Sequence, residues 1–339
     1  MERSVVTIDL GAIRRNVRTL VHVLEGAELW AVVKADGYGH GAVEVARAAL
    51  DAGATMLCVA TMREGLVLRA ALPEPRILVM GPPEEADLGA ARSARLELAI
   101  ADGRVPEGIP VHLKLDTGMG RWGLSELPSP ARSVVGVMSH LASADCDPAF
   151  TELQIDRFAG SLQGLTPSIA RHLANSAGAL RYPAARFDAA RCGIAIYGLS
   201  PFGTDAADDG LEPALRWESR LAQVKLLEPG ESTGYGRRFV ADAETWIGIV
   251  PVGYADGFRR DLTGTDVVVD GTPCCVVGTI SMDAFAVELG RELPVGTPVT
   301  LIGPGVSAEA HARVAGTINY EIVTAINRSG ERARVSVHA

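Results

Sequence analysis

Lys34 closes a short apolar run, Ala31-Val32-Val33-Lys34, and is followed by Ala35-Asp36-Gly37-Tyr38-Gly39-His40-Gly41. A lysine that finishes a buried run stands in low-dielectric surroundings. These favour its neutral amine, the form a Schiff-base lysine needs. Taken alone, a strand-end lysine more often snorkels to water along its stem. The glycines behind it allow close backbone approach to a ligand, but they fit neither the GxxxxGK[ST] nor the GxGxxG phosphate-loop pattern. Lys114-Leu115-Asp116-Thr117-Gly118-Met119-Gly120-Arg121 ends another run. Arg121 in that glycine-rich loop suits paired hydrogen bonds to a carboxylate, with a solvated surface arginine as the alternative. His140, after a third run, serves either to orient a neighbour or as a satisfied structural histidine. Ser176 and the stretch Arg191-Cys192-Gly193-Ile194 end two more runs. They offer a hydroxyl and backbone N–H donors suited to a phosphate.

The elements that must position these residues are eight short apolar runs: 28–34, 55–60, 76–80, 95–100, 110–115, 134–139, 168–173 and 187–194. Amphipathic stretches such as Ala42–Ala52 and Thr151–Leu162 separate them. Strand-helix alternation requires crossover connections and hence a parallel sheet. About eight units in roughly 200 residues fit a (β/α)8 barrel, with a doubly wound sheet as the competing architecture. In a barrel, active groups gather where strands end, and the loops after strands seven and eight often bind phosphate. A lysine after strand one facing a phosphate site after strands seven and eight is the layout of a pyridoxal-phosphate (PLP) enzyme. Near residue 217 the pattern changes to short β-branched runs, Trp246–Val252, Asp266–Val269, Cys274–Val277, Phe285–Leu289 and Pro298–Ile302, punctuated by turn residues. The expected fold class is therefore α/β: an N-terminal TIM-type (β/α)8 barrel over 9–217 and a mostly-β C-terminal domain over 218–339. Ser4–Ile8, ahead of the barrel, is expected to pair with the β domain. Gly203–Gly210 reads as a flexible loop.

Bulk properties narrow the function classes. The 339 residues are 47% hydrophobic and 22% charged, enough for two ordinary cores. A net charge of -9 argues against nucleic-acid partners. The cysteines, 58, 146, 192, 274 and 275, form no CxxC pair, which suggests a reducing compartment and no structural metal. The N-terminus shows no secretory pattern and no run reaches membrane-spanning length. A cytoplasmic location with no membrane contact is the expectation.

Val33–Gly41 resembles the PLP-lysine signature of bacterial alanine racemases. Leu115–Gly123, Ser139–Ala142, Ala174–Ala177, Gly193–Ser200, Gly253–Gly257, Ile280–Asp283 and Thr317–Glu321 match the same family in order, covering nearly the whole chain. The resemblance implies a PLP-dependent, two-base interconversion of L- and D-alanine that supplies D-alanine for peptidoglycan, in a homodimer with shared active sites. It implies that Lys34 holds PLP covalently and serves as one acid/base, and that Tyr254 of the partner subunit is the other. His140 would contact Tyr254 and Arg191, and Arg191 would meet the pyridine nitrogen. Arg121 and the backbone of Met282 of the partner subunit would hold the substrate carboxylate. Tyr38, Ser176, Gly193, Ile194 and Tyr320 would hold the phosphate. Lys114 matches a lysine that some relatives carry as a carbamate, with an ordinary salt-bridged lysine as the alternative.

Racemisation needs bases on opposite faces of a planar intermediate. Tyr254 must therefore titrate well below a reference value of about 10 to act as one. An arginine at the ring nitrogen cannot give up its proton, which keeps that nitrogen unprotonated and limits transamination. Isolated tyrosines and methionines are more often packing residues, so Tyr254, Tyr320 and Met282 rest on the family context. Cys192 stands where Pro or Val is common, and Ala144–Asp147 is less acidic than usual. Three other readings compete: a serine-type or broad-specificity racemase on the same fold, a PLP-binding regulator without the second base, and a metal-dependent hydrolase using His140, His172 and Asp116.

Overall fold

The structure, a computed structural model, describes residues 3–129 and 131–339. The chain divides into two compact units. One is Ala12–Glu212; the other joins the N-terminal stretch through Gly11 to Pro213–Ala339. The strand Leu215–Arg220 spans position 217 and lies in the second unit.

After the first strand, β1 (Val5–Asp9), the Ala12–Glu212 unit contains β2 (Glu28–Val32), β3 (Met56–Val59), β4 (Arg76–Val79), β5 (Glu97–Ile100), β6 (Val111–Lys114), β7 (Val134–Met138), β8 (Ala170–His172) and β9 (Ala189–Cys192). Each pairs in parallel with the next, and β9 returns to β2, closing the barrel. The doubly wound alternative is excluded by that closure. β3, β5, β6 and β9 are buried at every position, because helices cover one face and the barrel interior fills the other. Their apolar runs are for that reason continuous rather than alternating. Helix Met62–Ala71 starts with a capping box, Thr61 accepting from Glu64 N. At its other end Arg69 donates to the carbonyls of Ala94, Leu72, Pro73, Pro75 and Arg95. Gly203–Gly210 carries a 3-10 turn capped by Asp205, with Ala206 buried.

The second unit is built on a nine-stranded sheet that includes β1. Its other members are β10 (Leu215–Arg220), β11 (Gln223–Leu227), β14 (Thr245–Val250), β15 (Asp266–Val269), β16 (Thr272–Val277), β17 (Phe285–Leu289), β18 (Pro298–Ile302) and β19 (Arg334–His338), in the order β11-β14-β17-β16-β15-β18-β10-β1-β19. β12 (Ser232–Thr233) and β13 (Phe239–Val240) form a separate pair. Asp270 and Gly271 join β15 to β16 with φ of 50° and 77°, the positive values a two-residue hairpin needs. β1 pairs antiparallel with β10 and parallel with β19. Phe258 stacks on Phe285 at 4.4 Å and meets Trp217 edge-on in the core. Two short helices, Ala308–Ala315 and Asn319–Thr324, complete the unit. Among the described residues no helix is long and apolar enough to cross a membrane.

Candidate active site

Lys34 lies just beyond β2, and the chain then turns left-handed. Ala35, Asp36 and Tyr38 have φ of 51°, 50° and 51°. Such a conformation costs roughly 1–2 kcal/mol per non-glycine residue and persists only where surroundings enforce it. Four bonds do so here. Glu64 Oε1 accepts from Ala35 N at 2.7 Å, and Asp36 Oδ1 accepts from Ala42 N at 2.9 Å. Gly37 N donates to Val33 O, and Gly41 N to Asp36 O. The other oxygen of Glu64 accepts from Ala60 N and Thr61 N, so one carboxylate ties the Lys34 turn to the end of β3. Burial lowers the pKa of the Lys34 amine, the Arg121 charge lowers it further, and Glu64 opposes both.

Tyr38 and the segment after β9 converge. Tyr38 packs against Tyr197 with ring centroids 5.0 Å apart, and Tyr197 donates to Val32 O at 2.9 Å. A side chain at Gly193 would sit 2.5 Å from the Tyr38 hydroxyl, so only glycine allows this approach. Ser176 Oγ accepts from Gly193 N at 3.0 Å and from Ala195 N at 3.4 Å. Ile194 opens a 3-10 turn, where the first amides have no partner within the turn. Tyr38, Ser176, Gly193 and Ile194 are thus brought together.

Arg191 is buried on β9. Nη1 donates to His172 Nδ1 (2.7 Å) and His172 O (2.8 Å). Nη2 donates to Ser139 O (2.6 Å), Leu173 O (3.2 Å) and His140 Nδ1 (3.2 Å). Both terminal nitrogens are committed, which leaves Nε–H as the donor that no described residue takes up. Burial lowers the guanidinium to about 10, so it remains a cation at neutral pH. Burial first, then the charges of Arg191, Lys114, Arg121 and Lys34, hold the pKa of His140 well below the usual imidazole range. An arginine only donates, so His140 Nδ1 accepts and its Nε2 carries the proton.

Arg121 lies on a loop folded back on β6. Asp116 organises it by accepting from Gly118 N and Gly120 N. Gly123, at φ +154°, passes so close to Asp116 that a Cβ would fall 2.6 Å from its amide nitrogen. The Trp122 ring lies 5.2 Å from the Arg121 guanidinium and 5.3 Å from Lys114 Nζ. Lys114 is 5% exposed, and burial together with the Arg121 and Arg191 charges brings its pKa down to about 8.

The second unit holds Tyr254, Met282 and Tyr320. Tyr254 N donates to Ser281 O and Ala255 N to Met282 O, both at 3.1 Å, which sets the Tyr254 and Met282 turns side by side. Asp256, buried beneath them, accepts from Gly253 N and from Arg3. The Tyr254 and Met282 side chains are 43% and 50% exposed. Tyr320 lies on the helix Asn319–Thr324, which runs on to Ala325, whose carbonyl approaches Gly257.

Known proteins match this arrangement along its length. The alanine racemase N-terminal domain family covers residues 8–201 and the C-terminal domain family residues 214–334. An alanine racemase of Beutenbergia cavernae is 42% identical, covering 97% of each chain. The chain belongs to the alanine racemase family. Among solved members, the biosynthetic alanine racemase of Pseudomonas aeruginosa superposes with a TM-score of 0.92 at 36% identity over 100% of both chains. The Bacillus anthracis alanine racemase with bound L-Ala-P gives 0.84 at 35% identity, covering 96% of this chain and 93% of its own.

Within this family member, several site neighbours escaped sequence reasoning. Gln154 is buried on helix Pro148–Ser161. It donates to Thr117 Oγ1 and His140 O and accepts from Ala142 N, tying the Arg121 loop to the His140 loop. Glu64 stands outside the motif stretches, and Trp122 and Tyr197 lie inside them without an expected role. His172, one of three ligands in the metal-hydrolase alternative, has both ring nitrogens engaged, by Arg191 and by His112. Among the described residues no cluster of three or more His, Cys, Asp or Glu is placed to hold a metal ion.

Proposed function

We propose that this protein interconverts L- and D-alanine with PLP attached to Lys34. Family membership supports the activity. The observation that carries the cofactor reading is the unclaimed Nε–H of the otherwise saturated Arg191, on the strand that leads into the Ser176-Gly193-Ile194-Tyr38 cradle. An arginine donor suits a pyridine nitrogen, and the cradle suits a phosphate. When bound, PLP supplies the electron sink for the α-carbanion.

The residues divide the remaining work. The lowered pKa of Lys34 makes its amine available both for covalent attachment and for carrying a proton on one face. Tyr254 of the partner subunit carries the proton on the other face, in a homodimer with shared sites. His140 Nε2–H is the donor that stabilises its phenolate. Arg191 keeps the ring nitrogen unprotonated, which disfavours transamination. Arg121, braced by Trp122, binds the substrate carboxylate together with the backbone of Met282 of the partner subunit. Tyr320 joins Tyr38, Ser176, Gly193 and Ile194 at the phosphate. Lys114, with an amine partly neutral near pH 8, becomes a carbamate whose negative charge orients Arg121. The location is the cytoplasm and the product serves peptidoglycan synthesis.

The test is purification with PLP, borohydride reduction, and peptide mapping, followed by racemisation assays on a panel of L-amino acids. The expected result is cofactor fixed to Lys34 and alanine as the preferred substrate. Fixation elsewhere removes the cofactor assignment. Preference for serine, or no preference, replaces the alanine assignment with a serine-type or broad-specificity racemase on the same fold.

A further inference from the structure

A line of buried hydrogen bonds crosses the barrel interior beneath Arg191. Arg191 Nη1 donates to His172 Nδ1 at 2.7 Å. His172 Nε2 meets His112 Nδ1 at 2.8 Å, and His112 Nε2 meets Glu97 Oε2 at 2.8 Å. Glu97 in turn receives Arg76 Nε at 2.7 Å and Arg76 Nη2 at 3.0 Å. The members come from β9, β8, β6, β5 and β4. Arg76 and Glu97 open their strands and His172 ends its own, so the line runs from the bottom of the barrel to its mouth. His112 and His172 are 0% exposed and Glu97 7%. Trp30 on β2 walls the line, 4.4 Å from the His172 ring and 5.6 Å from that of His112. On β7, Gly136 leaves the space that His112 fills, since a Cβ there would fall 2.0 Å from His112 Nδ1. Five strands supply the line and two others shape its walls.

The proton positions follow from the two ends. Arginine has no acceptor, so His172 Nδ1 accepts and its Nε2 bears hydrogen. His112 Nδ1 must then accept, and its Nε2–H donates to Glu97. An ionised carboxylate is acceptor-only, so the far end closes the same way. Burial lowers the pKa of both histidines and keeps them neutral. Burial pushes Glu97 up, but hydrogen bonds from His112 and Arg76 and their charges outweigh it and hold the carboxyl at about 2. Other groups facing the line are the Cys58 and Cys192 thiols, which burial pushes up to about 12 and keeps neutral, and Glu28, whose charge acts on Arg76. The line cannot pass protons into the site, because it ends on a group that cannot accept one.

We propose that Glu97 is a positioning residue for Arg191. Acting through His112 and His172, it closes from the far end the direction of donation that Arg191 sets from the other, and so holds the guanidinium oriented with Nε–H left for the ring nitrogen of the cofactor. The first half concerns the protein alone; the last clause rests on the cofactor reading above.

The experiment is histidine 15N NMR on the holoenzyme, with long-range 1H–15N correlations that separate Nδ1–H from Nε2–H tautomers. Both His112 and His172 are expected as neutral Nε2–H, unchanged from about pH 5 to about pH 9. An Nδ1–H or charged form of either overturns the proposal, and the wild-type spectrum alone decides this. Glu97→Gln then tests the consequence, because an amide can donate as well as accept, so only the Arg191 end still enforces the direction. His112, the ring in contact with position 97, is expected to lose its single tautomer, and kcat to fall about tenfold with KM within about twofold, with more transamination per turnover. A lower Tm with kcat, transamination and tautomer unchanged would show a merely structural Glu97 and overturn the proposal. Failure of borohydride to fix PLP to wild-type Lys34 would instead remove the cofactor reading and leave the tautomer result standing.

Discussion

In the proposed function Lys34 has two duties, covalent anchoring and proton transfer, and both need the more easily deprotonated amine that burial gives it. Lys34→Ala is therefore expected to lose borohydride fixation and to slow racemisation by at least about 10³-fold. Normal turnover without added amine would remove the assignment. Arg191→Glu replaces a permanent donor by an acceptor for a protonated ring nitrogen. It is expected to lower racemisation and to raise pyruvate formed per racemisation event. An unchanged ratio would place Arg191 away from the ring. Lys114 carries a pH signature. With its pKa lowered to about 8, the amine is largely charged below that pH and largely neutral above it. Only the neutral amine captures CO2, and the neutral fraction falls about tenfold per pH unit below the pKa. At fixed dissolved 13CO2, the carbamate carbon signal should rise with pH through about 8 and vanish in Lys114→Ala. No such signal at any pH would leave Lys114 an ordinary buried amine beside Trp122.

At the scale of elements, the site depends on loops held by polar side chains rather than by packing. Glu64 pins the left-handed turn after Lys34, Asp116 gathers the Arg121 loop, and Gln154 joins that loop to His140. The base of the barrel uses the same device. Arg69 satisfies five carbonyls from the end of its helix and two neighbouring loops. Arg69→Ala removes the part-buried bonds to the Ala94, Leu72 and Pro75 carbonyls and is expected to cost about 2–4 kcal/mol, seen as a lower Tm by calorimetry. Because Arg69 lies below the barrel and the site above it, kcat at moderate temperature should stay within about twofold of wild type. A large loss of kcat with an unchanged Tm would contradict this division of labour.

For the whole molecule, the decisive question is which copies of Lys34 and Tyr254 work together. In the proposed two-fold dimer each site takes Lys34 from one subunit and Tyr254 from the other. Lys34→Ala and Tyr254→Phe homodimers are each expected to be inactive. Subunit exchange between them creates heterodimers with one doubly damaged site and one intact site. With random exchange about half the dimers are mixed, so activity should return toward about a quarter of wild type. Exchange verified by mass spectrometry with no recovery would show that both residues serve within one chain.

The barrel strands and the chemical motifs were legible in sequence because each depends on local pattern. All eight runs became β2 to β9, since strands buried on both faces are continuous apolar stretches bounded by turn residues. Lys34, Arg121, His140, Ser176 and Arg191 were legible because each follows or ends such a run. The second unit was less so: β10, β11 and β19 mix charged with apolar residues, and β19 buries none of its residues, so pairing with neighbouring strands rather than an apolar pattern defines them. Glu97, His112 and His172 were invisible as a set. They lie 15 and 60 residues apart along the chain, with no shared motif, and become one line of hydrogen bonds only when the barrel closes. The left-handed turn after Lys34 is of the same kind, because its local backbone preference opposes it and Glu64, from a different helix, enforces it. Residue types and runs determine which elements form and which side chains end them. Closure of the sheet alone decides which distant polar groups share a dry interior, where each must find a partner.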